Sequence, residues 1–247
     1  MKIVGVIPAR YASTRFPGKP LADIHGKPMI WWVYNQVKKV AEIDEVYIAT
    51  DDKRIANICA EHGMLFIMTS NQHKTSTERL NEVADKITAD IYVCINGDEP
   101  LISPRVISAI IPEDRDGFFA ANLMSEMNDP VEVVDNTNIK VVTDSCGFAL
   151  FMSRNPIPYP KASAKYKYRK HLGVLAYTKE ALEFFANTPK GYNETVEDIN
   201  ELRFIENQKP LLMIEVASDS LSVDTPKDLE KILLIIKKQI EEGEVSL

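Results

Sequence analysis

Three cations lie close together near the beginning of the chain. Arg10, Arg15 and Lys19 belong to the stretch PARYASTRFPGKPL (8–21), which directly follows the apolar run IVGVI (3–7). A loop between a buried strand and a helix is a frequent phosphate site, because backbone N–H groups and cations converge there. A solvated surface loop is the alternative interpretation. The stretch matches neither G-x-G-x-x-G nor G-x-x-x-x-G-K-[ST], which disfavours a Rossmann dinucleotide site and a Walker P-loop.

Two aspartates follow apolar segments at places suited to a metal ion. Asp98 lies in NGDEPLIS (96–103), and Asp224 lies in SVDTPKDLE (222–230) before the last predicted helix. Mg²⁺ prefers one or two carboxylates completed by phosphate and water oxygens, so the pair predicts an Mg²⁺ site. Local alternatives exist for both residues. Asn-Gly-Asp is common turn chemistry, and Asp224 is a suitable cap for the helix.

Together these groups indicate nucleotidyl transfer. A cationic loop can neutralise a departing pyrophosphate, while two carboxylates hold Mg²⁺ against the α-phosphate. Ligands of parallel α/β sheets bind at the carboxyl ends of the strands, so the groups are expected at one edge of a sheet. The sequence therefore predicts an enzyme whose catalytic group includes Lys19, Asp98 and Asp224.

A parallel sheet is the element that must position these residues. Apolar runs alternate with segments of helical spacing, which is the pattern of repeated β-α-β units. The fold class is therefore α/β, with a mainly parallel central sheet and helices on both faces. The predicted strands are 3–7, 45–50, 64–68 and 91–96, and the predicted helices between them are 28–40, 52–62 and 76–87.

The middle of the chain has a different pattern. Residues from about 118 to 178 are rich in strand-like segments, so we predict a smaller mixed or antiparallel part of the domain there, called the excursion below. We expect the excursion to take part in dimerisation and in binding the acceptor, the molecule that receives the nucleotidyl group. Helices are predicted at 193–208 and 225–243. No linker or repeat interrupts the chain, so 1–247 is predicted to form a single domain.

Composition disfavours several classes of protein. The 247 residues carry a formal net charge of −7, whereas a nucleic-acid binder usually presents a basic face. No apolar segment approaches the ~20 residues that a membrane span needs. Cys59, Cys94 and Cys146 form no Cys-x-x-Cys pair, which favours a reduced, cytoplasmic protein.

The sequence resembles the CMP-Kdo synthetases, or 3-deoxy-manno-octulosonate cytidylyltransferases, over essentially its whole length. The resemblance implies a CTP-dependent enzyme of the nucleotidyltransferase α/β fold, usually a homodimer, that couples CMP to a sugar acid and releases pyrophosphate. The segments that carry it are IPARYASTRFPGKPLADIHGKPMI, ATDD, HKTSTERLNEV, NGDEPLI, NTNIKVVTD, FALFMSRNPIPY, KHLGVLAYT and SVDTPKDLE.

The resemblance also implies a role for each matching residue. Asp98 and Asp224 would hold Mg²⁺. Arg154 and His171 would face the sugar acid, with Arg154 suited to its carboxylate by bidentate geometry. The residues that would meet the CTP phosphates are Arg10, Ser13, Arg15 and Lys19, and those near the base and ribose are Thr75, Ser76 and Arg79.

Four departures fall at positions that resemble the family's sugar-contacting positions. Asn96, Leu175, Asn200 and Glu201 stand where the family usually has Gln, Tyr, Glu and Gln. One interpretation is neutral drift among Kdo enzymes. The other is a different acidic acceptor, such as an amino-substituted Kdo, because lost hydrogen bonds alter substrate choice. A catalytically silent nucleotide-binding protein on the same fold is a third hypothesis.

Overall fold

The computed structural model describes most of the chain. The described residues are 1–12, 16–113, 117–162, 166–218 and 220–243. The roles expected for Ser13 and Arg15 therefore concern residues outside the described part.

One mixed sheet forms the centre of the described structure. Its strand order is β11-β7-β10-β6-β1-β4-β5, and β8 extends it by pairing with β10 and β9. The strands are β1 Ile3–Ala9, β4 Glu45–Thr50, β5 Phe66–Met68, β6 Ile91–Ile95, β7 Ala120–Glu126, β8 Lys140–Thr143, β9 Ala149–Ser153, β10 Arg169–Tyr177 and β11 Leu212–Glu215; β2 Asp23–Ile24 and β3 Lys27–Pro28 form a separate pair.

The strand directions agree with the predicted fold class. β1 runs parallel to β4 and β6, and β4 runs parallel to β5. These four strands confirm the four predicted from the sequence, although β5 is partly exposed because it lies at the edge of the sheet, with Phe66 36% and Met68 39% exposed. β10 is antiparallel to β6 and β7, which flank it in the main order of strands, and to β8.

The strand-rich region 118–178 is built into this sheet. β7 and β10 lie between β11 and β6. Among the described strands of this region, only the antiparallel hairpin of β8 and β9 extends beyond the main order of strands. The mixed character comes from β10, whose direction is reversed inside the sheet.

Helices cover both faces of the sheet. One apolar cluster joins α1, α2 and α4 to the sheet, and a second joins α3, α6 and α8 to the other face. Alternation along β1 divides its side chains, with Ile3 and Ile7 in the first cluster and Val4 and Val6 in the second. The helices are α1 Met29–Val37, α2 Lys53–Glu61, α3 Ser76–Lys86, α4 Pro104–Ser108, α5 Pro130–Val134, α6 Lys179–Asn187, α7 Tyr192–Glu197, α8 Leu202–Glu206 and α9 Pro226–Glu241.

The prediction of one helix over 193–208 was wrong. The segment contains α7 and α8, separated at Asp198, which has a φ of 51° in the left-handed region. Aspartate tolerates this conformation better than most residues, and one such residue ends an α-helix. Among the described helices, none is long and apolar enough to cross a bilayer.

Candidate active site

Two polar cavities meet at the carboxyl ends of β1 and β6. The first cavity has a volume of about 550 Å³, and the second has about 420 Å³. Asn96 and Asp98, which directly follow β6, line both of them. Two molecules bound side by side in these cavities would therefore both lie next to Asp98.

Lys19 bridges the two predicted metal-site carboxylates. Its Nζ lies 2.8 Å from Oδ2 of Asp98 and 3.6 Å from Oδ1 of Asp224. Lys19 begins a short 3-10 helix, Lys19–Leu21, and Gly18 before it has a φ of 71°, a conformation that glycine adopts without strain. The structure thus brings together the three residues predicted to be catalytic.

Backbone packing fixes the position of Asp98. A Cβ on the preceding Gly97 would lie 3.2 Å from Ile30 Cδ1, 3.3 Å from Ile7 Cγ2 and 3.3 Å from Pro8 O. The absence of a side chain lets β6 end directly against β1. The Asp98 carbonyl also accepts a 2.8 Å hydrogen bond from the Val223 N–H.

That hydrogen bond joins Asp98 to the segment that carries Asp224. Val223 is fully buried against α1 and α9. The N-cap of α9 is Thr225, which forms a capping box with Asp228. The structure therefore corrects the interpretation of Asp224 as the cap, because Thr225 has that position and the Asp224 carboxylate faces Lys19.

The first cavity has a cationic wall built from the start of α3. Thr75 caps this helix, and Arg10 Nη2 donates a 3.2 Å hydrogen bond to the Lys74 carbonyl. Arg79 is 1% exposed and donates to Thr69 Oγ1, and its Nη2 lies 3.4 Å from Asp51 Oδ1. Burial lowers the pKa of Arg79, and the Asp51 carboxylate opposes that shift.

Glu82 fixes the loop in front of α3. It accepts hydrogen bonds from Ser70 N at 2.8 Å and Lys86 Nζ at 2.6 Å, and it lies 2.5 Å from His73 Nε2. Burial alone would raise the pKa of Glu82, but these three groups lower it to about 2. A charged Glu82 therefore holds in place the loop that leads to Thr75.

The second cavity contains the two residues expected to face a sugar acid. Arg154 donates to the carbonyls of Glu197 at 2.7 Å, Asp198 at 3.0 Å and Asn136 at 3.1 Å. His171 Nδ1 lies 2.7 Å from Asn122 Oδ1. Burial, with a smaller effect of the Arg154 charge, lowers the pKa of His171 to about 4.

The four departures from the family pattern do not share one wall. Asn96 lines both cavities, and Asn200 lines the first. Leu175 and Glu201 are not among the described residues that line either cavity. Leu175 is 4% exposed in an apolar cluster, and Glu201 is 7% exposed, with burial raising its pKa to about 7.

Sequence reasoning missed several lining residues. Glu99 and Lys170 line the second cavity beside residues that were predicted, Asp98 and His171, so adjacency was an available signal. No sequence signal pointed to Lys190, which lines the first cavity. The other missed polar residues are Lys74 and Asp198 in the first cavity and Thr137, Asn138, Ser220 and Ser222 in the second.

These features define a nucleotidyltransferase-type site. A lysine and two aspartates lie at the junction of a cation-walled cavity and a second polar cavity, at the carboxyl ends of parallel strands. Positioning and charge stabilisation, which dominate phosphoryl-type transfers, are what such an arrangement supplies.

The chain belongs to the cytidylyltransferase family, whose sequence model matches residues 4–215. The 3-deoxy-manno-octulosonate cytidylyltransferase of Escherichia coli is 40% identical to it over 244 residues, which cover 98% of this chain and 99% of the relative. The enzyme of the same name from Geobacter sulfurreducens is 41% identical over 250 residues, covering 96% of this chain and 100% of the relative.

Solved structures agree with this assignment. The structure of CMP:2-keto-3-deoxy-manno-octonic acid synthetase complexed with CTP has a TM-score of 0.89 and 38% identity, covering 97% of this chain and all of that chain. A cytidylyltransferase from Leptospira borgpetersenii has a TM-score of 0.63 and 17% identity, covering 96% of this chain and 87% of that chain. The latter likeness concerns the fold alone.

Proposed function

We propose that the protein transfers CMP from CTP to a hydroxyl of 3-deoxy-manno-octulosonate (Kdo) and releases pyrophosphate. The observation that carries the proposal is the position of Asp98 on both cavities, with Lys19 and Asp224 beside it. Two substrates in neighbouring cavities would meet at this residue. The names of the full-length relatives support Kdo as the acceptor.

The first cavity is proposed to hold CTP. Its wall contains the cations Arg10 and Lys19, which suit a polyphosphate. Thr75, Ser76 and Arg79 of the same wall are assigned to the base and ribose. Ser13 and Arg15 are assigned to the phosphates from the family resemblance.

Mg²⁺ is the proposed cofactor. Asp98 Oδ2 and Asp224 Oδ1 lie 2.8 and 3.6 Å from the same Lys19 Nζ, so the two carboxylates face one region of the site and would hold the ion there. Among the described residues, no group of three or more Asp, Glu, His or Cys side chains could hold a metal. A two-carboxylate site fits Mg²⁺, which takes its other ligands from phosphate and water. When bound, Mg²⁺ would neutralise phosphate charge and lower the pKa of the acceptor hydroxyl.

The second cavity is proposed to hold the sugar acid. Arg154 and Lys170 supply positive charge for its carboxylate. Three guanidinium N–H groups of Arg154 already donate to backbone carbonyls, which holds the guanidinium in place and leaves its remaining N–H groups for the substrate. Asn96 lines both cavities and would therefore lie between the two substrates.

The reaction exchanges one phosphoester bond for another. The acceptor oxygen forms a bond to the α-phosphorus, and the bond from that phosphorus to the bridging oxygen of the β-phosphate breaks. The ammonium of Lys19 is proposed to stabilise the charge that develops on the departing pyrophosphate. The hydroxyl proton passes to solvent water, and a Mg²⁺ ion held by Asp98 and Asp224 would ease that loss, so no side chain is assigned as a dedicated general base.

An altered acceptor has weaker support than Kdo. The hypothesis of a different acceptor was based on four residues that differ from the family pattern, and of these four Asn96 is the one that lines the second cavity. Glu201, the residue expected to pair with an ammonium group, is buried and outside the described lining. Asn96 alone therefore carries the hypothesis of an amino-substituted acid.

A panel of acceptors tests the proposed function. The protein is incubated with CTP, Mg²⁺ and Kdo, amino-substituted Kdo or shortened 2-keto sugar acids, and pyrophosphate release and product mass are measured. Kdo is expected to give the CMP-glycoside with the highest specificity constant. Efficient transfer to another acid with little transfer to Kdo would show that this other acid, and not Kdo, is the acceptor. No transfer to any acid would favour a catalytically silent nucleotide-binding protein.

The protein is further proposed to be a homodimer in the cytoplasm, where CTP is available and thiols stay reduced. The excursion exposes several large apolar side chains, which a dimer interface over this region would cover. They are Val131 (70% exposed), Val134 (71%), Phe148 (38%), Leu150 (57%) and Tyr159 (85%). Light scattering should give twice the chain mass of 27.9 kDa, and Leu150→Asp should lower it. A monomer at micromolar concentration would contradict the dimer.

A further inference from the structure

Asn122 is a fully buried polar side chain in the middle of the sheet. It lies on β7 opposite β10, where the register of the two strands shifts between His171 and Leu175. Its Nδ2 donates to the carbonyls of Leu172 at 2.8 Å and Val174 at 2.9 Å. The amide therefore satisfies two backbone acceptors that the irregular pairing leaves inside the sheet.

These two bonds fix the orientation of the amide. Only the NH₂ end of asparagine can donate, so Nδ2 must face the two carbonyls and Oδ1 must point away from them. Turning the amide over would place its oxygen against two carbonyl oxygens. Oδ1 instead lies 2.7 Å from Nδ1 of His171.

The amide orientation in turn fixes the proton on His171. Oδ1 can only accept, so Nδ1 of the ring must carry a hydrogen. The cations Arg154 and Lys170 line the same cavity, as do the carboxylates of Asp98, Glu99 and Asp224. Because burial and the Arg154 charge lower the pKa of His171 to about 4, the ring is neutral near pH 7 and Nε2 carries a lone pair.

We infer that Asn122 is a positioning residue that holds His171 as the Nδ1–H tautomer, so that Nε2 accepts a hydrogen bond from a hydroxyl of the acceptor sugar. The inference rests on the proposed use of the second cavity for that sugar. Nε2 has no hydrogen-bond partner among the described residues, and His171 lines the cavity. His171 thus binds a hydroxyl group of the sugar acid, while Arg154 and Lys170 bind its carboxylate.

Asn122 also shapes the wall between the two cavities. The bulge that it stabilises contains Gly173, whose carbonyl accepts a 2.8 Å hydrogen bond from Asn96 N. A Cβ on Gly173 would clash with the Asn96 side chain. One buried amide therefore supports both His171 and Asn96.

Nitrogen-15 NMR of histidine-labelled protein tests the tautomer without any substrate. The chain has four histidines, and a His171→Gln sample assigns the signal. At pH 7 the expected result is a protonated Nδ1 and an unprotonated Nε2 on His171. An Nε2–H tautomer or a doubly protonated ring would overturn the inference. Failure of the acceptor panel would instead count against the proposed function, so the two failures are distinguishable.

Asn122→Leu tests the positioning role. The ring should lose its fixed tautomer, and the KM for the acceptor should rise about tenfold, as for one lost hydrogen bond. The KM for CTP should rise less, because Asn122 affects the CTP cavity only through Asn96. Ser125→Ala, at another buried polar residue of β7, is the matched control and should change neither. An unchanged tautomer, or equal rises in both KM values, would overturn the role of Asn122.

A second measurement applies if Asn122→Leu does not fold. The Nδ1 proton of wild-type His171 is donated to a buried amide oxygen, so it should give a slowly exchanging proton signal in water. A ring proton that exchanges rapidly with solvent would show that the contact with Asn122 does not set the tautomer.

Discussion

Lys19 Nζ donates a 2.8 Å hydrogen bond to Asp98 Oδ2, which ties the loop after β1 to the end of β6. Both side chains are partly buried, with exposures of 16% and 24%. The contact holds an ammonium group at the point where the two cavities meet. It thereby places the charge of Lys19 beside both carboxylates at the junction of the two cavities.

Lys19→Ala should lower turnover as well as CTP affinity. Part of its interaction strengthens as charge builds on the leaving pyrophosphate, so kcat should fall by about a hundredfold to a thousandfold, as for other preorganised charge-stabilising groups. Steady-state kinetics with saturating acceptor measure the effect, and exposed Lys38→Ala is the control. A raised KM for CTP with normal kcat would show that Lys19 only binds the nucleotide.

Glu82→Gln should destabilise the protein near neutral pH. The pKa of Glu82 is lowered from 4.5 to about 2, so its contribution is complete above pH 4.5 and disappears as pH falls through 2. Urea unfolding should show a loss on the order of 2 kcal/mol at pH 7 that shrinks towards pH 3. Exposed Glu61→Gln is the control, and a loss that does not vary with pH would contradict the assigned role of the charge.

Glu201→Gln should have the opposite effect on stability. Burial raises the pKa of Glu201 from 4.5 to about 7, so the folded state becomes less stable as pH rises between these values. The variant should be more stable by on the order of 2 kcal/mol at pH 8 and nearly unchanged at pH 4.5. Exposed Glu230→Gln is the control. A changed KM for the acceptor with no change in stability would instead place Glu201 in contact with the sugar.

Restoring the usual family residue at Asn96 and at Leu175 should have two different effects. Asn96→Gln should change the specificity constants of the acceptors relative to one another, because Asn96 lines the second cavity. Leu175→Tyr should mainly cost stability, about 1–3 kcal/mol, because it overfills a packed core. Kinetics with the acceptor panel and urea unfolding measure the two effects. Equal effects of both variants on acceptor choice would show that Leu175 belongs to the acceptor site after all.

The part of this site that could be predicted from the sequence follows from the direction of the strands. Arg10 and Asp98 each follow an apolar strand, and parallel strands end at one edge, so their proximity could be expected before the structure was known. Asp224 is held there by the bond between Val223 and Asp98, a long-range contact that no local pattern encodes.

Other features depend on tertiary context. Leu175 was expected in the acceptor site because it stands at a position that resembles a sugar-contacting tyrosine of the family. It instead pairs with Cys94 and Asn122 inside the sheet, because β10 is a reversed central strand. Asn122 gave no sequence signal, since its role arises from an irregularity in β10 pairing. The break at Asp198 escaped a prediction based on helical spacing, because spacing does not reveal a single left-handed residue.

The most direct measurement is product formation by variants of the shared residue. Asp98→Asn and Asp224→Asn are assayed with CTP, Mg²⁺ and Kdo by product mass, and folding is checked by circular dichroism. If Asp98 is where the two substrates meet the metal, both variants should stay folded and form the CMP-glycoside at a rate lower by at least about a hundredfold. Near-normal product formation by folded Asp98→Asn at low Mg²⁺ would contradict the account.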